Sequence, residues 1–351
     1  MNKRILVDLH RLGKNHFNGL YIYSYHLGEC LYKDHPMNMD LYYYLPKNLV
    51  DMFGNRVKYI IHRSLDKFFH LKAIGFDIWH STTTLSWYLP FDKKTKFIFT
   101  LHDINFLIEN PERKRSNKRY LDLIQKRVAR ADHIIAISQF SLNQAKEYLN
   151  MDGKCASVIH PGCSFIRDKP VAAIPAYMPA KPFLYSIGLI QKRKNFHTII
   201  PLLEQYDYEY IISGIDSYDY KDTIIAEAEK YGVRERVIFT GPVSENEKAW
   251  YYEHCTAFMF PSFAEGFGLP VVEAMYFGKP VFLSTETSLP EIGGDKAYYF
   301  DNFDPVTIKR VFEEGMKHYM INQPQEKIKE HASQFTFEKM THKILDIYQT
   351  L

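Results

Sequence analysis

The 351-residue sequence lacks most features of secreted, membrane-spanning or metal-binding proteins. It has only four cysteines, none with C-x-x-C spacing, which argues against a disulfide framework or a zinc site and predicts reduced thiols in a cytoplasmic protein. No apolar run reaches membrane-spanning length, and the first residues become polar too early for a signal peptide. We therefore expect a protein that is soluble or peripheral to a membrane.

Large net charge and repeats are also missing. The formal net charge of +3 is too small to predict nucleic-acid binding by the chain as a whole. A hydrophobic content of 46% suffices for ordinary globular cores, and the length favours two domains. Five prolines lie between residues 160 and 182, a composition typical of a linker.

Short apolar runs of strand type alternate with helical patterns along the chain. One such run, Ile5–Leu9, leads through a loop containing Asn18 to Gly19, and another, Phe183–Gly188, follows the proline-rich segment. This alternation is typical of parallel α/β sheets of the Rossmann type. We predict a first domain over residues 1–165, a second over 166–335, and an amphipathic C-terminal helix over 336–351.

The segment 257–278 combines a predicted strand, a glycine-rich loop and a helix in a way that can form a binding site. After the predicted strand Ala257–Phe260 comes a glycine-rich loop, and Pro270 and Gly278 predict a helix from about Pro270 to Phe277. Two other predicted helices have a clear capping residue at their start. Ser141 is predicted to cap one, and Ser244 with Glu247 forms a capping box at the other. The helix that begins near Pro270 has none, so its first N–H groups can bind a phosphate.

Two acids belong to this stretch. Glu265 lies in the loop and Glu273 in the predicted first turn of the helix. Carboxylates at these positions can accept hydrogen bonds from sugar hydroxyls, as an acid does for ribose in dinucleotide-binding folds. A capping glutamate and a solvated glutamate would give the same residues, and the pattern alone leaves both interpretations open.

The segment PSFAEGFGLPVVEAMYFGKPV resembles the E-x7-E signature of retaining, GT-B-fold glycosyltransferases of family 4, especially mannosyltransferase-like members. The resemblance is strong over residues 183–310 and fainter over 1–160. It implies two Rossmann-like domains with parallel sheets facing a central cleft, and a C-terminal helix that packs back on the first domain. In that family the first Glu faces the transferred sugar and the second holds the ribose. The backbone between them meets sugar and diphosphate, here at Gly266, Phe267, Gly268 and Leu269.

A second anion site is predicted where the first strand of the second domain ends. Gly188 is followed by the bases Arg193 and Lys194 at a predicted helix start. Solvated bases are the alternative, which is disfavoured because cations belong at the other end of a helix. In the family, a Lys aligned with Lys194 binds the diphosphate and a second base assists. Many members carry Arg directly after the glycine, where this chain has Leu189, so Arg193 is assigned the assisting role.

Three further positions are assigned by the resemblance. His102 follows the strand Lys96–Leu101 and corresponds to a histidine beside the donor sugar, although a capped turn would also explain it. Val243 lies in a turn that resembles the nucleotide-base pocket, and Gly19 in a loop near acceptor and diphosphate. His80, by contrast, is predicted to be a buried residue at a strand end.

The segment Arg113–Arg130 contains eight Lys or Arg residues and a single acid, Asp122. A stripe of apolar residues at helical spacing accompanies them. A solvated helix face is one interpretation, and a basic surface that contacts anionic lipid headgroups is the other.

The resemblance implies a retaining glycosyltransferase that moves a hexose, with mannose favoured. The donor would be a GDP- or UDP-linked sugar and the acceptor a glycan or lipid-linked sugar, as in polysaccharide or lipopolysaccharide assembly. No metal is expected, because Lys194, Arg193 and the helix dipole can neutralise the leaving diphosphate without a cation. A separate cofactor and a nucleic-acid partner are not expected either. A GT-B-fold sugar-nucleotide epimerase and a non-catalytic sugar-nucleotide-binding protein are the alternatives.

Overall fold

The structure is a computed structural model that describes residues 2–13, 19–67, 75–163, 174–216 and 219–351. The chain forms two compact units, the first made of residues 1–162 and 336–351 and the second of residues 163–335. The predicted boundary at residues 165–166, the part of the proline-rich segment over residues 164–173, and Asn18 lie outside the described residues. The four cysteines all lie within the described residues and form no disulfide bond.

The first unit contains a seven-stranded sheet in which every neighbouring pair is parallel. Its strands are β1 (Lys3–Asp8), β2 (Met39–Leu45), β3 (Lys58–Ile61), β4 (Ile78–Ser81), β5 (Lys96–Leu101), β6 (His133–Ala136) and β7 (Ala156–Val158). Their order in space is β3-β2-β1-β4-β5-β6-β7. The sequence analysis missed β7, a three-residue edge strand that is only half buried and therefore has a weak apolar signal.

The second unit contains a six-stranded parallel sheet. Its strands are β8 (Phe183–Ile187), β9 (Glu209–Ser213), β10 (Val237–Gly241), β11 (Ala257–Phe260), β12 (Val281–Ser284) and β13 (Tyr298–Phe300), in the order β10-β9-β8-β11-β12-β13. The order reverses between β8 and β11. Such a switch point, at the carboxyl ends of the strands, is where open α/β sheets bind ligands.

Helices connect these strands or follow the last of them. They are α1 (Gly19–Asp34), α2 (Phe106–Glu109), α3 (Lys114–Arg130), α4 (Gln139–Tyr148), α5 (Leu202–Gln205), α6 (Tyr220–Lys230), α7 (Glu245–His254), α8 (Leu269–Tyr276), α9 (Leu289–Gly293), α10 (Pro305–Asn322), α11 (Gln325–Ala332) and α12 (Phe337–Thr350). Most strand residues are fully buried, as expected when helices cover a parallel sheet on both faces. The prediction of two Rossmann-like α/β sheets is confirmed.

Three local predictions need correction. The cap of α4 is Ser138, whose side chain accepts a hydrogen bond from the backbone N–H of Ser141. The hydroxyl of Ser141 instead donates to the carbonyl of His102, just after β5. The bases of the second unit lie on a 3-10 turn, Lys192–Lys194, and not at the start of an α-helix. Glu273 is the fifth residue of α8, beyond its first turn.

The C-terminal helix α12 belongs to the first unit and packs against α1. Its Tyr348 hydroxyl lies 2.6 Å from Nδ1 of His80, and Nε2 of His80 lies 2.8 Å from Thr100 Oγ1. His80 is fully buried, as predicted. Among the described helices, none is both long and apolar enough to span a membrane.

Candidate active site

The loop after β11 carries the first signature acid and is fixed by small polar side chains. The hydroxyl of Ser288 donates to the backbone carbonyls of Glu265 and Phe267, and Thr287 accepts from the backbone N–H of Glu265. Ser262 donates to the Glu265 carboxylate at 2.6 Å. These bonds hold Glu265 at the carboxyl end of the second sheet with its side chain almost fully buried.

Both predicted bases contact this carboxylate. Lys194 Nζ lies 2.6 Å from Glu265 Oε1, and Arg193 Nη1 lies 3.0 Å from Glu265 Oε2. Two further hydrogen bonds link Arg193 to the backbone of the acidic loop. Its Nη1 donates to the carbonyl of Ala264 at 2.5 Å, and its own carbonyl accepts from the N–H of Phe263. The 3-10 turn and the acidic loop therefore form one charged cluster of two cations and one anion.

Gly188 allows Lys194 to reach this position. Its φ angle is +143°, and a Cβ atom there would lie 3.0 Å from Cε and 3.2 Å from Nζ of Lys194. Only glycine adopts such a backbone conformation without strain. The ammonium group also lies 4.5 Å from the centre of the Phe260 ring, a cation–π contact that adds to its placement.

The charge of Glu265 follows from these contacts. Burial opposes its ionisation, but the charges of Arg193 and Lys194, with hydrogen bonds from Lys194 and Ser262, lower its pKa to about 2. Glu265 is therefore a carboxylate at any pH near neutrality. It can accept hydrogen bonds and stabilise positive charge, but it cannot serve as a proton donor.

The start of α8 follows this cluster and has no side-chain cap. Its N-cap residue is Gly268 with φ of +114°, and Pro270 follows in the first turn. No acid occupies the first turn. Gly266, Phe267 and Gly268 are buried and Leu269 is half buried. The helix dipole at this end favours an anion, which agrees with the predicted phosphate site.

The second signature acid, Glu273, is not in contact with the two bases. Its carboxylate accepts from Lys248 Nζ at 3.0 Å and from the hydroxyl of Tyr252 at 2.9 Å, both on α7. Lys248 also lies 2.9 Å from Glu245. Burial, reinforced by the nearby charge of Glu245, raises the pKa of Glu273, while Lys248 and Tyr252 counteract the rise. The sequence analysis missed Lys248, because one lysine in a polar helix gives no signal of burial.

Val243 lines a cavity of about 230 Å³ beside the edge strand of the second sheet. Its walls are Ala176, Tyr177, Ile238, Phe239, Thr240, Pro242, Val243, Glu247 and Tyr251. The predicted capping box is confirmed, since Ser244 and Glu247 exchange hydrogen bonds at the start of α7. Glu247 also accepts from the backbone N–H of Ala176 at 3.1 Å, so the cavity wall is tied to the cap.

His102 and Gly19 belong to the first unit. His102 Nε2 lies 2.8 Å from the carbonyl of Thr82, which can only accept, so this nitrogen carries the proton. Burial lowers the pKa of His102, and the ring is therefore neutral near pH 7 with Nδ1 as an acceptor. The Tyr23 ring meets it edge-on at 4.8 Å. Gly19 is the exposed first residue of α1.

The basic segment forms α3, and its eight bases divide into two groups. Arg127 is buried and donates to the carbonyl of Ser86 at 2.8 Å, while Arg130 donates to the carbonyls of Asp92 and Thr95. The remaining bases are exposed, and they are Arg113, Lys114, Arg115, Lys118, Arg119 and Lys126. The two anchored arginines thus hold the loop 86–92 against α3.

The described residues include no group of three or more His, Cys, Asp or Glu side chains that could hold a metal ion. The structure thus brings Glu265, Arg193 and Lys194 into direct contact, and places Glu273, on α8, in a separate network with Lys248 and Tyr252. A chain with two Rossmann-like parallel sheets and this acid–base cluster has the features of the GT-B class of glycosyltransferases.

Comparison with known proteins agrees with this class. The family model described as glycosyltransferase family 4 matches residues 22–165, and that described as glycosyl transferases group 1 matches residues 176–335. The chain therefore belongs to the family 4 glycosyltransferases. The fold is shared with a solved structure, Alr3699/HepE of Anabaena, with a TM-score of 0.72, 18% identity and 100% coverage of both chains.

Two curated relatives from Escherichia coli are similar in sequence. The serotype-specific mannosyltransferase WbdA is 29% identical over 238 residues, which is 63% of this chain and 29% of WbdA. The O-antigen chain mannosyltransferase B is 28% identical over 233 residues, which is 62% of this chain and 60% of that protein. The match thus spans less than two thirds of the length of either relative.

Proposed function

We propose that this protein is a retaining hexosyltransferase that moves mannose from a nucleotide-diphosphate sugar to a glycan or lipid-linked acceptor. The observation that carries the proposal is the contact of Arg193 and Lys194 with Glu265 beside the uncapped start of α8. Both curated relatives are named as mannosyltransferases, which supports the sugar. The structure of Alr3699/HepE is described as a complex with UDP and glucose, which supports a nucleotide sugar as donor class.

The charged cluster suits a leaving diphosphate. Arg193 and Lys194 together carry one more charge than Glu265 neutralises, and the first turn of α8 adds the positive end of its dipole. As the bond between sugar and diphosphate breaks, negative charge grows on the phosphate oxygens. Fixed donors aimed at such charge are usually the largest single contribution to catalysis.

The acids and His102 then have orienting roles. Glu265 stays ionised and stabilises positive charge that develops on the sugar ring. His102, neutral and with Nδ1 free to accept in the described part of the chain, can take a hydrogen bond from a sugar hydroxyl. In the family's same-face mechanism the departing phosphate helps to deprotonate the acceptor, so no separate base is required.

The remaining predicted positions hold the nucleoside. Glu273 accepts ribose hydroxyls through lone pairs not used by Lys248 and Tyr252, because each carboxylate oxygen has two. The base lies at the turn of Val243, next to the 230 Å³ cavity. Both GDP and UDP fit this description, and the relatives' mannosyl activity favours GDP.

Donor turnover tests the proposal and separates it from the alternatives. The protein is incubated with GDP-mannose, UDP-glucose and UDP-galactose in EDTA, with and without octyl mannoside as acceptor, and the products are followed by NMR of the anomeric protons. We expect transfer with retained configuration, and full activity in EDTA. Conversion of the donor sugar without acceptor would indicate an epimerase. The names of the two relatives, both mannosyltransferases, do not favour this activity. Absence of turnover with every donor, despite binding, would indicate a binding protein.

We further propose that the exposed bases of α3 contact an anionic membrane surface. The loop that Arg127 and Arg130 tie to α3 exposes Trp87 by 50% and Phe91 by 60%. Exposed aromatic rings next to a row of lysine and arginine are typical of surfaces that lie at the headgroup level of a bilayer. A membrane contact would bring the protein to a lipid-linked acceptor.

Matched charge variants test this surface. Each basic residue near an anionic bilayer contributes about 1 kcal/mol. The triple variant Lys114→Gln, Lys118→Gln, Lys126→Gln should lose most binding to vesicles that contain phosphatidylglycerol. A control with the same charge change, Lys317→Gln, Lys327→Gln, Lys343→Gln, removes exposed lysines elsewhere and should bind like the wild type. Equal binding of the two variants would contradict the proposal, as would equal binding to phosphatidylcholine vesicles.

A further inference from the structure

A second cluster of chemically active side chains lies at the carboxyl end of β1 in the first unit. We call it the His10 cluster; its members are Asp8, His10, Arg11, His62 and Tyr88. Asp8 is fully buried, and its Oδ1 lies 2.6 Å from Nδ1 of His10 while its Oδ2 accepts from Ser86 at 3.1 Å. His10 and Arg11 follow on one 3-10 turn, His10–Gly13. None of the proposed catalytic roles uses these residues.

Aromatic rings form the walls of the cluster. His62 stacks on His10 with ring centres 5.4 Å apart, and Tyr88 meets the two rings edge-on at 5.0 and 4.9 Å. The hydroxyl of Tyr88 lies 2.6 Å from Nε2 of His62. Asp8 and these rings fix the plane of His10, so that Nδ1 faces Asp8. In the described part of the chain, Nε2 of His10 has no hydrogen-bond partner.

Arg11 has a donor that its own chain does not use. Its Nε is buried and has no hydrogen-bond partner among the described residues. An unmade hydrogen bond of this kind costs about 1–3 kcal/mol, so such groups need an explanation and a ligand is a common one. Burial raises the pKa of Tyr88, and the positive charge of Arg11 opposes this rise. Arg11 therefore lies close to the rings of the cluster.

The spare groups of the cluster select the class of ligand. Both oxygens of Asp8 are occupied, and the nearby Asp66 accepts from the hydroxyl of Tyr44 and the backbone N–H of Arg63. Among the described residues, the donors of Arg11 have no such partner. A sugar hydroxyl needs acceptors as well as donors, whereas a phosphoryl group offers acceptors only.

We propose that His10 and Arg11 form a subsite that binds a phosphoryl group of the acceptor. That the ligand is the acceptor rests on the proposed function; that the subsite binds a phosphoryl group does not. Arg11 donates from Nε and its terminal nitrogens to two phosphoryl oxygens, and His10, whose Nδ1 faces Asp8, contacts the group through Nε2. The phosphoryl group belongs either to a sugar phosphate or to a lipid-linked sugar.

Calorimetry on the full chain tests this subsite, with GDP present in excess to fill the nucleotide site. The probes are glucose 1-phosphate, decyl phosphate and, as a neutral control, decyl glucoside. We expect both phosphorylated probes to bind, and Arg11→Gln and His10→Gln to weaken them about tenfold or more. Lys47→Gln removes an exposed charge from the same unit and should change nothing. Tighter binding of decyl phosphate than of glucose 1-phosphate would identify a lipid-linked acceptor, and the reverse order a sugar phosphate.

Several results would overturn the subsite: no binding of either phosphorylated probe, equal binding of decyl glucoside, or equal effects of Arg11→Gln and Lys47→Gln. Melting temperatures check the fold, and Arg11→Gln should melt no lower than the wild type because it removes an unsatisfied buried donor. The outcome is independent of donor turnover. A protein that binds phosphorylated probes but transfers no sugar would refute the proposed function and leave the subsite intact.

Discussion

The ammonium group of Lys194 lies 2.6 Å from the carboxylate of Glu265, so the base assigned to the diphosphate and the acid assigned to the sugar are paired with each other. Arg193 binds the other oxygen of the same carboxylate. A diphosphate that enters must share these cations with Glu265. The carboxylate therefore opposes tight binding of the diphosphate and, by the proposed mechanism, assists the transition state.

The first prediction separates these two effects. Glu265→Gln frees Lys194 and Arg193 from a competing anion, so the affinity for GDP or UDP should increase several-fold. The rate of transfer should nevertheless fall by about 10²-fold, because charge that develops on the sugar loses its partner. Lys194→Met should weaken both nucleotide binding and transfer. Calorimetry with the nucleotide and initial rates with the donor measure the two quantities.

Glu286→Gln is the matched control, because Glu286 is an exposed glutamate of the same unit. It should leave both quantities unchanged. Weaker nucleotide binding by Glu265→Gln would refute the competition between carboxylate and diphosphate. Since the pKa of Glu265 is about 2, no titration of this group should appear in the rate between pH 5 and pH 9.

The second prediction concerns Lys248, whose charge opposes the rise in the pKa of Glu273 that burial causes. Lys248→Met should raise the pKa of Glu273 further, and protonated Glu273 accepts ribose hydroxyls less well. As the pH is lowered, the KM for the donor should therefore begin to rise at a higher pH than in the wild type, with little change in kcat. The variant should also lose stability, most at high pH, because it leaves a buried charge unpaired.

Glu245→Gln gives the opposite test. Glu245 raises the pKa of Glu273, so its removal should lower that pKa and flatten the pH dependence of KM. Donor KM values and melting temperatures at pH 6, 7 and 8 measure both variants. Parallel KM profiles for wild type and Lys248→Met would show that the Lys248–Glu273 pair is structural only.

Sequence patterns captured the elements whose signals are local. Gly266, Pro270 and the apolar run before them predicted a strand, a loop and a helix, and the capping box of Ser244 and Glu247 was recognised from two residues. The two parallel sheets followed from the same alternation. Local patterns gave the wrong cap for α4, since Ser138 and Ser141 are equally good capping residues and only the strand end decides between them.

Features that depend on distant parts of the chain could not be predicted. From the sequence, Lys248 is predicted to be a solvated helix residue, and only its contact with Glu273 in the fold shows that it is buried. Arg127 is likewise predicted to be one of eight exposed bases, whereas in the fold it donates to the carbonyl of Ser86. His10 gave no signal at all, because its neighbours come from three strand ends. In each case the side chain's role is set by the packing of elements that lie far apart in sequence.

The third prediction concerns stability at low pH. Burial lowers the pKa of His80 to about 3, compared with 6.5 in the unfolded chain. The unfolded state therefore takes up a proton first, and the free energy of unfolding should fall by about 1.4 kcal/mol per pH unit below pH 6.5, down to about pH 3. His80→Gln should be less stable at pH 7, because it disturbs the bonds to Tyr348 and Thr100, but should lose less stability on acidification.

Urea unfolding of wild type and variant at pH 7, 6 and 5 measures this difference. His342→Gln alters an exposed histidine of α12 in the same unit and should keep the wild-type slope. If His80→Gln and the wild type lost equal stability between pH 7 and pH 5, the buried neutral histidine would not be the cause of acid sensitivity.

The last prediction tests how Gly188 positions Lys194. In Gly188→Ala the new Cβ would lie 3.0 Å from Cε and 3.2 Å from Nζ of Lys194, so the ammonium group must move away from Glu265. Transfer should therefore fall by at least tenfold, because small displacements of a charge-stabilising group are costly. Gly232→Ala is the control: Gly232 also has positive φ, at +66°, but nothing lies within 4 Å of its Cβ position. Both variants should lose stability through backbone strain, and only Gly188→Ala should lose nucleotide affinity and activity. Equal activity of the two alanine variants at a temperature where both are folded would show that Gly188 serves the backbone alone.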